Sequence, residues 1–352
     1  MMVKKILIFD TIFPIGHKDL YQSLITLFPE NVELLILNAS DFYNESNENS
    51  SIQYKKIIHL KERKNLLLNQ IVLAINTLIG IIYSYSYKSD IVVFFTFDTL
   101  NIAIMRFLFG KKEVYLLHHN NTDHLQNKYK KRFFDTYKNK VKHIVFADFI
   151  GKYLVGIGVN QSNVYVLTHP LNGFTGSDIN KNNINKKIYI GLGYANDELL
   201  ISQIINYENK YHLLYKNDIL LIIRSRVQKA YEYKNIRIIN GHLPKDEYES
   251  IYESSQAVLL LYSVKYMNRY SGVILDAFRH KKKIIGINIP IVKYFSCLYP
   301  NNCRTFNSVE DLFLKLIQFN NTVFSDAEYN QFLTNHSDQK IRKEIIEIFS
   351  LK

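Results

Sequence analysis

Short, uninterrupted runs of apolar residues set the strongest limit on what this chain can fold into. Lys4 to Asp10 reads KKILIFD, Val32 to Leu37 reads VELLIL, and Asp90 to Phe97 reads DIVVFFTF. Their apolar residues run together instead of alternating, so each predicts a strand covered on both faces. Lys112 to Leu117 (KEVYLL), His143 to Ala147 (HIVFA) and Val164 to Leu167 (VYVL) continue the series. Helical spacing separates these runs at Asp19 to Phe28, Thr99 to Phe109, Asn127 to Lys140 and Phe149 to Gly156. Strand–helix alternation of this kind builds a parallel sheet with crossover helices.

The pattern then stops and restarts. Leu171 to Asn185, LNGFTGSDINKNNIN, carries no apolar periodicity and reads as a linker. Beyond it come strands at Lys187 to Gly191, Asp218 to Ile223, Ile236 to Ile239, Ala257 to Tyr262, Lys283 to Gly286 and Cys303 to Phe306. Helices at Glu198 to Tyr207, Lys245 to Ser255, Val273 to Arg279, Ser308 to Phe319 and Asp338 to Phe349 lie between and after them. A chain of 352 residues is long for one core and comfortable for two. The reading is therefore two Rossmann-like doubly wound α/β domains facing across a cleft: 1–170, a linker 171–186, and 187–325. A helical tail, 326–352, is expected to pack back on the first domain.

Hydrophobic residues make up 47% and charged residues 22% of the chain, which predicts an ordered protein. The net charge is +12 and the sequence pI is about 9.3. Nucleic acid, an anionic membrane surface or phosphorylated small molecules would each suit that charge. No nucleic-acid fingerprint accompanies it, so no nucleic-acid partner is expected. The two cysteines, Cys297 and Cys303, fit no metal spacing and imply a reducing, cytoplasmic setting. The short apolar start, ending at Asp10, reads as a first strand and not as a signal peptide.

Asn65 to Tyr87 contains no charged residue and is long enough to cross a bilayer. Its Asn69, Gln70 and Asn76 are costly in lipid, so a buried or membrane-facing helix is the preferred reading and a spanning helix the alternative. Lys61, Arg63, Lys64 and Lys88 flank it, as contact with anionic headgroups would require.

Ligands of doubly wound sheets sit outside the carboxyl ends of the strands. Candidate residues are therefore those just after strands: Phe13 to His17 (with Gly16), Thr96 to Asp98, His118 to Asp123 and His169 in the first half. In the second they are Gly193 to Asp197, Arg224 to Lys229, Gly241 to Leu243 and Ser263 to Gly272. Tyr266 to Gly286, YMNRYSGVILDAFRHKKKIIG, is the most informative of them. A polar loop feeds a helix that begins near Ser271 and Gly272, where free N–H groups and the positive end of the dipole suit a phosphate. Asp276 lies one turn in, within reach of a sugar hydroxyl. Each residue also has a plain reading: Ser271-Gly272 as an ordinary cap, Asp276 as a solvated acid, Arg224 and Lys229 as surface charges, Gly16 as a turn.

The segment NIRIINGHLPKDEYESIYESSQAVLLLYS, followed by NRYSGVILDAFRHKKKIIG, resembles the C-terminal half of the family 4-like glycosyltransferases of the GT-B fold. Gly241, Leu243, Tyr252, Ser255, Ser271, Gly272, Asp276, Ala277 and Ile284-Ile285 occupy that family's motif positions. The likeness covers about Ile236 to Gly286 well and the rest loosely.

The resemblance implies that backbone N–H groups of Ser271, Gly272 and Val273 bind a donor diphosphate and that Asp276 takes the ribose hydroxyls. The backbone at His242 and Leu243 would meet the base, and His118 or His119 would stand near the sugar as the catalytic residue. The family's first acid falls at Asn268, beside Arg269 and Tyr270, so its carboxylate is missing. The family's basic pair after the first strand of the second domain is missing too; Arg224, Arg226 and Lys229 would replace its charge.

The same likeness implies a hexosyltransferase-type enzyme using a nucleotide-diphosphate sugar, with a glycan or polyprenyl-linked acceptor. It would work in surface polysaccharide synthesis, without metal or other cofactor, peripheral on the inner face of the cell membrane. The alternatives are a nucleotide-sugar 2-epimerase of the same fold and a non-catalytic sugar-nucleotide-binding scaffold.

Overall fold

A computed structural model describes residues 4–12, 17–39, 43, 51–119, 121–171, 187–233, 235–241, 243–319 and 322–351. The linker expected at 171–186 lies outside these residues apart from Leu171. The chain divides into two compact units. One comprises Met1–Gly173, Asn268–Tyr270 and Thr334–Lys352; the other comprises Phe174–Met267 and Ser271–Leu333.

The first unit is built on a parallel sheet of β1 (Lys5–Asp10), β2 (Glu33–Ala39), β3 (Ile52–Ile57), β4 (Ile91–Thr96), β5 (Glu113–His118), β6 (Lys142–Val145) and β7 (Val164–Val166). Their spatial order is β3-β2-β1-β4-β5-β6-β7. Ile6 pairs with Leu34 on one side and with Ile91 on the other, so the order reverses between β1 and β4. That reversal opens a crevice at the carboxyl edge, where this kind of sheet takes its ligands. Ile6, Leu7, Ile8, Val92, Val93 and Phe94 are fully buried or nearly so, as uninterrupted apolar runs require.

Crossover helices α1 (Lys18–Thr26), α2 (Leu66–Ser86), α3 (Thr99–Met105), α4 (Asn121–His124), α5 (Lys128–Asp135) and α6 (Asp148–Gly156) connect the strands. The Asn65 side chain accepts hydrogen bonds from the N–H groups of Leu67 and Leu68 and so starts α2.

The second unit contains β8 (Lys187–Gly191), β9 (Ile219–Ser225), β10 (Tyr231–Tyr233), β11 (Ile236–Asn240), β12 (Ala257–Leu260), β13 (Lys283–Ile287) and β14 (Cys303–Phe306). The order is β10-β11-β9-β8-β12-β13-β14, with β10 antiparallel to β11 and the other pairs parallel. Here the reversal falls between β8 and β12. Helices α7 (Glu198–Tyr211), α8 (Leu213–Lys216), α9 (Lys245–Ser254), α10 (Gly272–Arg279), α11 (Pro290–Leu298), α12 (Val309–Phe319) and α13 (Asp326–Asn335) follow in chain order. Tyr189, Leu221, Leu259 and Ile285 of the sheet meet Leu312, Phe313 and Leu316 of α12 in a buried core.

The last helix, α14 (Asp338–Phe349), belongs to the first unit. Lys4 Nζ donates to the Phe349 carbonyl at 2.8 Å, and the Tyr115 hydroxyl donates to the Ile348 carbonyl at 3.1 Å. Glu344 accepts from both the N–H and the hydroxyl of Thr168, at 2.7 and 2.9 Å.

Two strands were not expected. β3 (IQYKKI) alternates and lies at the sheet edge, where Lys55 and Lys56 are exposed, so it lacks the continuous apolar run. β10 is a three-residue hairpin partner of β11, too short for any periodicity.

Candidate functional site

In the second unit the loops that follow β8 and β12 meet at the strand reversal. Asn196 forms an isolated bridge with Tyr262, and the Asp197 N–H donates to the Leu261 carbonyl at 2.6 Å. The Asn196 amide donates to the Gly191 and Arg224 carbonyls at 2.7 and 2.9 Å, holding the first loop against β9. Asp197 caps α7 by accepting from the N–H groups of Leu199 and Leu200. These bonds make a rigid floor at the carboxyl edge.

Cations reach that floor from β9. The Arg224 and Arg226 guanidinium groups lie 5.2 and 5.4 Å from the ring centre of exposed Tyr194. Arg224 Nε also donates to the Gly241 carbonyl at 2.7 Å. Gly241 has φ +88, a conformation that other residues rarely adopt. Arg226 is held by Glu198, which accepts its N–H at 2.7 Å and the Ser225 hydroxyl at 2.5 Å. The loop after β8 thus has two arginines beside it although its own sequence is uncharged until Asp197. Lys229 is exposed in the turn between β9 and β10. Leu243 is buried, which leaves its backbone as the part able to meet a ligand. His242 and Gly16 lie outside the described residues.

The start of α10 is the chemically suggestive part. Ser271 precedes the helix but makes no side-chain cap; its hydroxyl is buried and shares a 2.7 Å hydrogen bond with the Tyr262 hydroxyl. The N–H groups of the first turn are therefore left for another acceptor. Gly272 is exposed, and a Cβ placed on it would meet no atom within 4 Å. Its smallness serves open space in front of the helix, not packing. Val273 is half-buried beside it. One turn on, Asp276 is half-buried and its carboxyl is pushed up to about 6, chiefly by loss of solvent. Arg279 opposes that rise and Glu249 adds to it. Tyr262 is a site residue that sequence reasoning missed. Its place directly after an apolar strand was the available signal.

Three expected donor residues are placed elsewhere. Asn268, Arg269 and Tyr270 belong to the first unit and are committed to partners within it. The Asn268 N–H donates to Asp123 Oδ1 at 2.6 Å, the Arg269 guanidinium pairs with the same carboxylate, and the Thr122 hydroxyl donates to the Asn268 carbonyl. Asp123 is buried, so these bonds compensate a charge removed from water. Tyr270 is buried and stacks on His169, with ring centres 5.2 Å apart and planes 13° from parallel. In this structure the three are engaged in anchoring contacts.

The histidine pair also resolves into two roles. His118 ends β5 and is buried. Its Nε2 lies 2.8 Å from His143 Nδ1, and His143 Nε2 lies 2.8 Å from the Lys138 carbonyl. Because that carbonyl can only accept, His143 carries its proton on Nε2 and His118 donates to His143 Nδ1. Burial holds both rings neutral, with His143 pushed down to about 4 and His118 well below its ordinary value. His118 is therefore a core residue, which corrects its expected place near a sugar.

His119, the first residue beyond the strand, is half-buried with its ring centre 4.1 Å from that of His17. Phe146, His169 and Tyr270 extend this aromatic group along the carboxyl ends of β6 and β7. Burial pushes the His169 imidazole down to about 3.

No protein-family model and no curated protein sequence matches this chain. Solved structures do. The lipopolysaccharide outer core galactosyltransferase WaaB in its apo form superposes with a TM-score of 0.63 at 14% identity, covering 99% of this chain and 100% of that one. Anabaena Alr3699/HepE in complex with UDP and glucose gives 0.64 at 10% identity, again over 99% and 100%. A UDP-N-acetylglucosamine 2-epimerase from Rickettsia bellii gives 0.58 at 12% identity, over 99% and 96%. At such identities the likeness shows the fold. It is the GT-B glycosyltransferase fold, with two parallel-sheet Rossmann-like domains.

Proposed function

We propose that this chain is a glycosyltransferase of the family 4-like type, moving a hexosyl group from a nucleotide-diphosphate sugar to a glycan or polyprenyl-linked acceptor. The observation that carries the reading is the start of α10. Ser271 is turned away to Tyr262, Gly272 faces open space, and Asp276 lies one turn on, at the strand reversal of a GT-B unit. The HepE complexes with UDP and UDP-glucose support a nucleotide sugar as the ligand.

The N–H groups of Gly272 and Val273 would bind the diphosphate and Asp276 the ribose. Arg224 and Lys229 would offset the charge that develops on the departing nucleotide, so no metal is invoked. The backbone at His242 and Leu243 would meet the base, and the Gly16 loop would approach the sugar. His119 replaces His118 as the residue proposed to stand at the reacting sugar, because it is the one placed beyond the strand end. We place the enzyme in surface polysaccharide synthesis, in the cytoplasm and peripheral on an anionic membrane.

The R. bellii neighbour makes a nucleotide-sugar 2-epimerase the rival of the same fold. The loss of an acid at Asn268 makes a non-catalytic scaffold the other rival. Calorimetric titration with UDP, then an assay for UDP-sugar hydrolysis and transfer, separates them. Binding with release of free sugar or transfer supports the proposal. Conversion of the sugar without release supports the epimerase, and binding without turnover across donors and acceptor extracts supports the scaffold.

A further inference from the structure

Helix α2 exposes an apolar stripe although its buried face is partly polar. Its inward face mixes the apolar Val72, Leu73 and Ile81 with Asn76, Thr77, Gly80 and Ser84, all buried. Asn76 accepts from the Leu60 N–H at 3.0 Å and donates to the Leu60 and Thr11 carbonyls at 2.9 and 3.2 Å. The outward face carries Leu67, Ile71, Ile75, Leu78, Ile82 and Tyr85, spaced three and four residues apart, so they form one stripe along the helix. Leu67 is 77% exposed and Ile71 56%. Phe107, 72% exposed, sits on the turn whose Leu108 carbonyl accepts the Tyr85 hydroxyl, and it continues the stripe. A continuous apolar patch of this kind marks a surface made for an apolar medium or partner.

Charge decides which. Lys61, Arg63 and Lys64 outnumber Glu62 just before the helix, and Lys88 and Lys111 outnumber Asp90 beyond its end, all of them exposed. The helix itself has no charged residue. A second copy would bring like charges together in either orientation, parallel or antiparallel. An anionic bilayer is attracted at both ends and takes the stripe between them.

We infer that α2 is the membrane-docking element of this protein and lies in the plane of an anionic phospholipid surface, its stripe in the headgroup–acyl boundary. The helix is long and apolar enough to cross a membrane. Spanning would strip Asn76 of its partners and tear the inward face from the sheet. The inference deepens the membrane location proposed above by naming its surface. Vesicle binding is read without sugar transfer, so it stands or falls apart from the transferase reading.

The test is sedimentation of the full chain with vesicles of phosphatidylcholine alone or mixed with phosphatidylglycerol. The protein should pellet with the mixed vesicles, and less so as salt is raised. The triple change Ile71→Gln, Leu78→Gln, Ile82→Gln should lower partitioning at least about tenfold with an unchanged melting curve, since all three side chains are exposed. Lys61→Glu, Arg63→Glu, Lys64→Glu should abolish the preference for phosphatidylglycerol. Failure of the unaltered protein to pellet, or equal pelleting of the glutamine variant, overturns the inference. So does a dimer that the glutamine changes disperse without any vesicle binding, which would assign the stripe to a second copy. Resistance to alkaline extraction would assign α2 to a spanning helix and overturn the in-plane placement.

Discussion

Replacing Asp276 by asparagine should make the folded protein more stable and its hold on nucleotide weaker. Burial raises the Asp276 carboxyl from 3.8 to about 6, so the folded state resists ionising it. An acid whose folded-state value lies above its unfolded one adds stability that is complete below the unfolded value and lost as pH rises through the folded value. The loss therefore runs from about pH 4 to pH 6, and a rise of this size corresponds to about 3 kcal/mol.

Asparagine keeps the shape and removes the charge. Urea unfolding of both proteins across that range should show no difference near the acid end and a gain of up to about 3 kcal/mol for the variant at neutral pH. If the ionised carboxylate holds ribose hydroxyls, its removal also forfeits roughly 1.5–3 kcal/mol of binding, a ten- to hundredfold loss in UDP affinity by calorimetry. A variant that is less stable at neutral pH and binds UDP as before would refute the reasoning, because the carboxylate would then be structural.

Gly272→Ala should leave the melting temperature unchanged or raised, since the new methyl meets no neighbour, yet lower UDP affinity about tenfold by displacing one charge-assisted hydrogen bond. His119→Ala should cut turnover more than donor affinity in a coupled release assay. His118→Ala should instead destabilise by about 2–4 kcal/mol in denaturant titration, because it opens a cavity and strands His143. Asp123→Ala should cost about 3–5 kcal/mol, since it leaves the Arg269 charge and the Asn268 N–H without their acceptor; thermal unfolding measures it.

The twofold α/β architecture was legible because its central strands are buried on both faces, and double burial writes itself as unbroken apolar runs such as KILIFD and AVLL. β3 was not legible, since an edge strand with one wet face and exposed lysines carries no such run. The start of α10 could be read because its chemistry is local: a serine, a glycine and an acid one turn apart. Asn268 to Tyr270 could not, because what they touch, Asp123 and His169, lies in the other half of the chain. Adjacent histidines illustrate the same limit at smaller scale. Neighbouring strand residues point to opposite sides, so one residue in the assumed strand end separates a core ring from a candidate site. For α2, composition identified an apolar helix but not which face was turned outward. That depends on which residues the sheet accepts.

Gly80 bears on that choice. A side chain there would run into the Phe9 ring, so α2 lies directly against the first strand. Many surface-active helices hide their greasy side in water by rotating or folding away. This one is seated against β1 with that side turned outward. If α2 docks on a membrane as proposed, control over release would have to act on headgroup charge or salt rather than on the helix.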